Sequence, residues 1–130
     1  MIINQDCLEY MATLDDSSVD CIITSPPYNI GRSYGSYTDK QEQYFTWMSR
    51  VWQEACRILK PTGHLFLNIQ PTRQDPLLAL KVAENIPWCI QNTFIWNKCI
   101  EIDGYVRGHG TVADSKRYQP NGWEYVFHFT

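Results

Sequence analysis

A chain of 130 residues suffices for one domain, and 44% hydrophobic with 14% aromatic residues supply material for a core. Its formal net charge of -3 excludes a broad basic field of the kind that holds nucleic acid without sequence preference. Nowhere do 18 apolar residues follow one another, so no apolar run is long enough for a membrane-spanning helix.

In chain order, Ile2-Ile3 reads as a short strand. Asp6 followed by Glu9 has capping-box spacing and opens a helix carrying Leu8, Met11 and Leu14, closed by the turn residues Asp15-Asp16-Ser17-Ser18. Residues 19–24 form a nearly continuous apolar run rich in β-branched side chains, which predicts a strand buried on both faces of a parallel sheet. Pro26 and Pro27 cannot donate to a ladder, so the strand ends there. The glycine- and serine-rich stretch 31–37, with interleaved tyrosines, predicts a mobile surface loop.

Asp39 with Glu42 then predicts the cap of the clearest helix, on which Tyr44, Met48, Val51, Ala55 and Ile58 recur at helical spacing. Lys60-Pro61-Thr62-Gly63 is its expected stop. Residues 64–69 predict a strand, Asp75-Pro76 the start of a helix through Ala83, and Pro87 its end. Two more strands are expected at 90–96 and 123–129. The segment 101–122 between them is long for a structureless connection, and is expected to be functional or poorly ordered. Alternation of strand and helix argues for a three-layer α/β sheet whose last two strands form an antiparallel edge pair.

Five cysteines without a C-x-x-C pair, mostly in apolar runs, read as reduced thiols packed as small hydrophobes in a cytoplasmic chain. His64, His109 and His128 show no metal spacing, so no metal is expected.

The stretch Thr24-Ser25-Pro26-Pro27-Tyr28-Asn29 stands apart. A strand that ends in a rigid turn sits at the carboxyl edge of a parallel sheet, where open α/β folds place their ligand crevices. Two prolines fix the backbone there, so the Pro26 carbonyl and the Tyr28 ring can be aimed with little entropy left to lose. By itself Pro-Pro-Tyr is a short motif, and strand termination with a tyrosine packed over the end is the plainer account.

The surrounding residues resemble a known family. The Ser25-Pro26-Pro27-Tyr28 run is similar to the catalytic motif of the amino-methylating DNA methyltransferases, which make N4-methylcytosine or N6-methyladenine. "DCLEYMATLDDSSVDCIITSPPYNIG" resembles the family's approach to that motif, "YFTWMSRVWQEACRILKPTGHLFLNI" its following helix and strand, and "FIWNK" and "NGWEYVFHF" the strands flanking its target-base pocket. The resemblance implies a partial, Rossmann-like αβα methyltransferase sheet, mostly parallel with an antiparallel edge pair. It also implies S-adenosyl-L-methionine as cofactor and double-stranded DNA as partner.

By the same resemblance the Ser25 hydroxyl and Pro26 carbonyl accept hydrogen bonds from the exocyclic amine, and Tyr28 stacks on a flipped base. Asp6 would contact the adenine moiety of the cofactor, unless it is only a helix cap. Asn29, Trp123 and Phe127 would line the base pocket, although aromatics on an alternating strand are equally accounted for as core. Arg32, Arg107, Lys116 and Arg117 could meet phosphates or be merely solvated.

The family's glycine-rich Phe-x-Gly-x-Gly-like turn, which seats the methionine part of the cofactor, has no counterpart in these residues. The expectation is a catalytic half, residues 1–130, with the target-recognition segment and cofactor half missing. Such a half would expose a sheet edge and an apolar face, favouring a homodimer or a second chain that carries the cofactor half. Serine before Pro-Pro-Tyr leans toward cytosine N4, while adenine-N6 enzymes of this motif order also carry it. Methylation of RNA or protein glutamine, and a non-catalytic remnant acting through a partner, are the alternatives.

Overall fold

A computed structural model describes residues 2–34, 37–40, 42–98, 100–102, 105–107 and 122–130. In chain order its elements are α1 (Cys7–Met11), β1 (Val19–Thr24), β2 (Ser33–Tyr34), β3 (Tyr37–Thr38), α2 (Tyr44–Ile58) and β4 (Leu59–Ile69). They continue with α3 (Leu78–Glu84), β5 (Ile90–Asn97), β6 (Ile100–Ile102), β7 (Tyr105–Arg107) and β8 (Trp123–Phe129).

Four strands form one sheet in the order β1-β4-β8-β5, and β2-β3 and β6-β7 form two-stranded ladders. β1 pairs parallel with β4, whereas β8 runs antiparallel to both β4 and β5. Three strands therefore share one direction, and β8 reverses it from inside the sheet. By strand direction this agrees with the Rossmann-like, mostly parallel sheet expected, with an antiparallel pair at the β5 edge; by pairing, one of its three ladders is parallel.

Side-chain parity divides the two faces. In β4 Leu65, Leu67 and Ile69 are wholly buried, and register places them beside Phe129, Phe127 and Tyr125 of β8. That face meets the helices. Met48, Trp52, Ala55 and Ile58 of α2 and Leu78, Ala79, Val82 and Ala83 of α3 join it in one core cluster. The alternate residues, among them Phe66, Asn68, Val126 and His128, face the other side, and none belongs to that cluster. Among the described residues, then, the helices of the core cover one face of the sheet, so only two of the three layers expected are present there.

β1 departs from expectation. It lies at the sheet edge and its residues are half-buried or exposed, with Ile23 78% exposed, because only β4 pairs with it among the described residues. Ile2 and Ile3 form no strand and are exposed. The stretch expected to be a loop at 31–37 instead contributes Ser33 to a ladder partner, Thr38. Most of 101–122, including His109, Lys116 and Arg117, lies outside the described residues.

The expected stop at residues 60–63 is not a break either. α2 ends at Ile58 and β4 starts at Leu59, so the four residues lie inside the strand. Register slips from Val19↔Leu59 to Cys21↔His64, leaving residues 60–63 opposite Asp20 alone. Gly63 is needed here. A Cβ on it would lie 2.9 Å from the Lys60 carbonyl oxygen and 3.2 Å from that of Asp20. In the last turn of α2, Arg57 donates to the carbonyls of Met11 (2.8 Å) and Leu14 (3.0 Å), tying α1 and the turn after it to α2.

The cysteines correct another expectation, for Cys7, Cys21 and Cys89 are exposed and only Cys56 is partly buried among those described. No described helix is long and apolar enough to cross a membrane.

Gly63→Ala should lower stability by about 1–3 kcal/mol in urea denaturation, because backbone oxygens rather than a flexible side chain must give way; Gln53→Ala on the exposed side of α2 should shift it by no more than about 0.5 kcal/mol. Burial pushes the Cys56 thiol up to a pKa of about 11, so its reactive thiolate is scarce at a pH of about 8. Iodoacetamide at that pH should label Cys21 and Cys89 first, with Cys56 reacting only as the solution is made more alkaline, read by peptide mass spectrometry.

Candidate active site at the carboxyl edge of the sheet

The loop leaving β1 is fixed before it reaches solvent. Asn29 at φ 54° and Gly31 at φ 79° turn the chain in the left-handed region, which costs a non-glycine residue and suits asparagine better than most. Asp39, only 1% exposed, holds that turn: its carboxylate accepts from Arg32 N at 2.6 Å and Ile30 N at 3.4 Å. Asp39 is therefore a loop clamp and not the predicted helix cap. α2 has Gln43 at its N-cap, and no side chain caps it. Its first residue serves the loop instead, as the Tyr44 hydroxyl donates to the Pro27 carbonyl at 2.6 Å.

Beyond this loop a cleft of about 650 Å³ opens. Ser25, Pro26, Pro27 and Tyr28 line one side of it, joined by Arg32. Ser25 is exposed and Pro26 is buried. The strand ends supply another side: Asn68 of β4 with Gln70 just beyond it, Trp96 of β5 with Lys98 just beyond it, and Glu124 of β8. Because β8 runs against its neighbours, its amino end meets their carboxyl ends, and Glu124 enters the cleft that way.

These strand residues are linked to one another. Lys98 Nζ pairs with Glu124 Oε1 and stands 4.8 Å from the centroid of the Trp96 ring. Glu124 is 5% exposed. Asn68 Nδ2 donates to the Tyr125 carbonyl at 3.1 Å, which fixes its amide beside the Ser25 loop.

The structure thus gathers the four motif residues and Arg32 in the cleft and places Asp6, Asn29, Trp123 and Phe127 elsewhere. Asp6 caps α1, its Oδ1 accepting from Leu8 N at 2.9 Å and Glu9 N at 3.2 Å, and does not line the cleft. Asn29 shapes the turn without lining the cleft. Phe127 is 3% exposed in the helix-covered core, and Trp123 shares its parity and packs edge-on against Tyr125. Neither is a cleft wall. Register decides this, since it pairs Trp96 with Glu124, and the even-numbered residues of β8 face the open side. Glu124, Asn68 and Lys98 were passed over in sequence; a carboxylate inside the aromatic run Trp123–Phe129 was the available signal.

On the same open face His64 Nδ1 and His128 Nε2 lie 2.9 Å apart, with His128 stacked on Phe66. Among the described residues no three His, Cys, Asp or Glu side chains are placed to hold a metal.

A family model for DNA methylase matches residues 19–130. The chain belongs to the N-4/N-6 DNA methylase family. It is 35% identical over 105 residues to the type II methyltransferase M.MjaVI of Methanocaldococcus jannaschii, covering 75% of this chain and 53% of that one. A DNA modification methylase of Thermus thermophilus, TTHA0409, solved in complex with S-adenosyl-L-methionine, superposes over 95% of this chain and 52% of its own with a TM-score of 0.65 at 20% identity. PvuII DNA methyltransferase, which is cytosine-N4-specific, gives a TM-score of 0.68 at 18% identity over 97% of this chain and 47% of its own. Both likenesses speak to the methylase fold. The chain spans about half the length of these relatives.

Asp39→Ala should leave the amides of Ile30 and Arg32 without their acceptor. Native-state hydrogen exchange is expected to show their protection reduced by about 1–3 kcal/mol, while core amides of β4 change less.

Proposed function

We propose that this methylase chain carries the target-amine site of an S-adenosyl-L-methionine-dependent enzyme acting on double-stranded DNA, with cytosine N4 or adenine N6 as the methylated nitrogen. The observation that carries the reading is the cleft shared by Ser25, Pro26 and Tyr28 with the polar ends of β4, β5 and β8. Family membership supports it.

An exocyclic amine is a poor nucleophile because its lone pair is delocalised into the ring. Acceptors placed at its two N–H groups draw the nitrogen toward tetrahedral geometry and stabilise the positive charge that grows there. The Ser25 hydroxyl and Pro26 carbonyl are those acceptors in our reading. Tyr44 and Asp39 hold the backbone still, so little reorganisation is left for the reaction. Tyr28 provides an aromatic platform for a base turned out of the duplex, where stacking contributes about 1–3 kcal/mol.

S-Adenosyl-L-methionine supplies an electrophilic methyl on sulfur when bound. The glycines described here do not make its seat. Gly63 is packed against backbone, and a Cβ at Gly31 would meet only Lys40 at 4.0 Å, so neither forms a close cradle for the methionine part. Residues 1–130 are read as carrying the catalytic half, and a second copy or second chain that contributes to the cofactor site is part of the proposal. The open sheet face, with Ile23 and Phe94 exposed, is the surface available to it. That neither Gly31 nor Gly63 forms such a cradle among the described residues also favours a second reading, a non-catalytic subunit that acts through such a partner.

Incubation with tritiated S-adenosyl-L-methionine and duplex DNA tests this, with the methylated base identified by mass spectrometry. Ser25→Ala should lower transfer about 10²- to 10³-fold. Transfer undiminished in Ser25→Ala would overturn the assignment of that acceptor. A wild-type chain that neither binds the cofactor in calorimetry nor transfers methyl would favour the second reading.

A further inference from the structure

Lys98 has no part in the reaction as derived, yet it is the best-held cation in the cleft. Its backbone N donates to the Gly122 carbonyl at 2.7 Å, its ammonium pairs with Glu124, and the Trp96 ring lies 4.8 Å away. Lysine ordinarily carries high side-chain entropy and keeps its charge in water. Here its side chain is 24% exposed and that of Glu124 is 6% exposed. Arg32, the other cation lining the cleft, is exposed and makes no ion pair among the described residues.

An ammonium has three N–H donors and no acceptor. One goes to Glu124, which leaves donors for a ligand that presents lone pairs. In cytosine the ring nitrogen next to the N4 amine, N3, is unprotonated, and in adenine N1 stands in the same relation to the N6 amine. Thymine and guanine carry N–H at the corresponding ring position. A fixed ammonium lining the same cleft as the amine site therefore matches the first two bases and opposes the second two.

We propose that Lys98 is a specificity-determining residue that donates to the unprotonated ring nitrogen flanking the target amine, with Glu124 and Trp96 as positioning residues that aim it. The assignment rests on the base-methylation reading and extends it from the amine to the ring. Glu124 offsets the desolvation of the ammonium and sets its direction, and the indole face limits where it can move. Selection in this scheme comes from repulsion of the wrong ring as much as from attraction of the right one.

The test is fluorescence anisotropy with a short single strand of abasic residues bearing one central cytosine, adenine, thymine or no base. The wild-type chain should prefer a cytosine or adenine centre to a thymine centre by about 5- to 150-fold, the range of one good base-edge contact. Lys98→Met should bring that ratio close to one, and Glu124→Gln should lower it. Since Lys98→Met strands a buried carboxylate, the double variant Lys98→Met/Glu124→Met is measured beside it, with circular dichroism to confirm folding. An unchanged ratio in either folded variant overturns the assignment of Lys98. If Tyr28→Ala still weakens every base-bearing strand in that case, the base site stands and only Lys98 is misassigned. A wild-type chain that does not distinguish any base from an abasic centre overturns the base site and this inference together.

Discussion

The direction of β8 governs the site. Running antiparallel between β4 and β5, it buries Phe127 and Phe129 against the helix-covered face and brings its amino end to the edge where its neighbours finish. Were β8 parallel, Glu124 would sit at the opposite end of the sheet from Ser25, and Lys98 would face the cleft without a carboxylate. One reversal of strand direction thus couples the apolar pairing of β8 with β4 to the charge arrangement of the cleft.

The second constraint is on the loop after β1. Two prolines remove ladder donors and narrow φ, but they do not by themselves fix where the carbonyls point. That is set by a buried carboxylate and a phenol: Asp39 holds the Ile30 and Arg32 amides, and Tyr44 holds the Pro27 carbonyl. The left-handed turn at Asn29 and Gly31 is maintained by these contacts. For the proposed reaction rigid placement matters because acceptors help a developing ammonium only if they need not move toward it.

Charge in the cleft is arranged rather than abundant. A net charge of -3 gives the chain no general field for a polyanion, so in the proposed function selectivity comes from local geometry. The cleft opposes neutral acceptors on the Ser25 side to a paired ammonium on the β5–β8 side. This polarity suits a ring with an amine at one position and a lone pair at the next. The sheet face beyond it, with Phe94 and Trp96 about half exposed, gives the chain an apolar surface continuous with the cleft.

The sequence by itself determined the elements whose causes are local. The run of β-branched residues ended by Pro26-Pro27, the 3.6-residue rhythm from Tyr44 to Ile58 and the cap at Asp6 were all legible, because each depends on neighbours within a few positions. So was the motif Ser25-Pro26-Pro27-Tyr28 that pointed to the family. What only the tertiary structure decided was parity and partnership. Trp123 and Phe127 look like pocket walls among the aromatics of the chain, but a strand has two faces, and pairing with β4 and β5 chose which one the helices cover. Asp39 looks like a helix cap until the turn at 29–32 folds back onto it. Lys98 and Glu124 are 26 positions apart and meet only because two strands pair antiparallel, an interaction set by sheet register rather than by anything local to either residue.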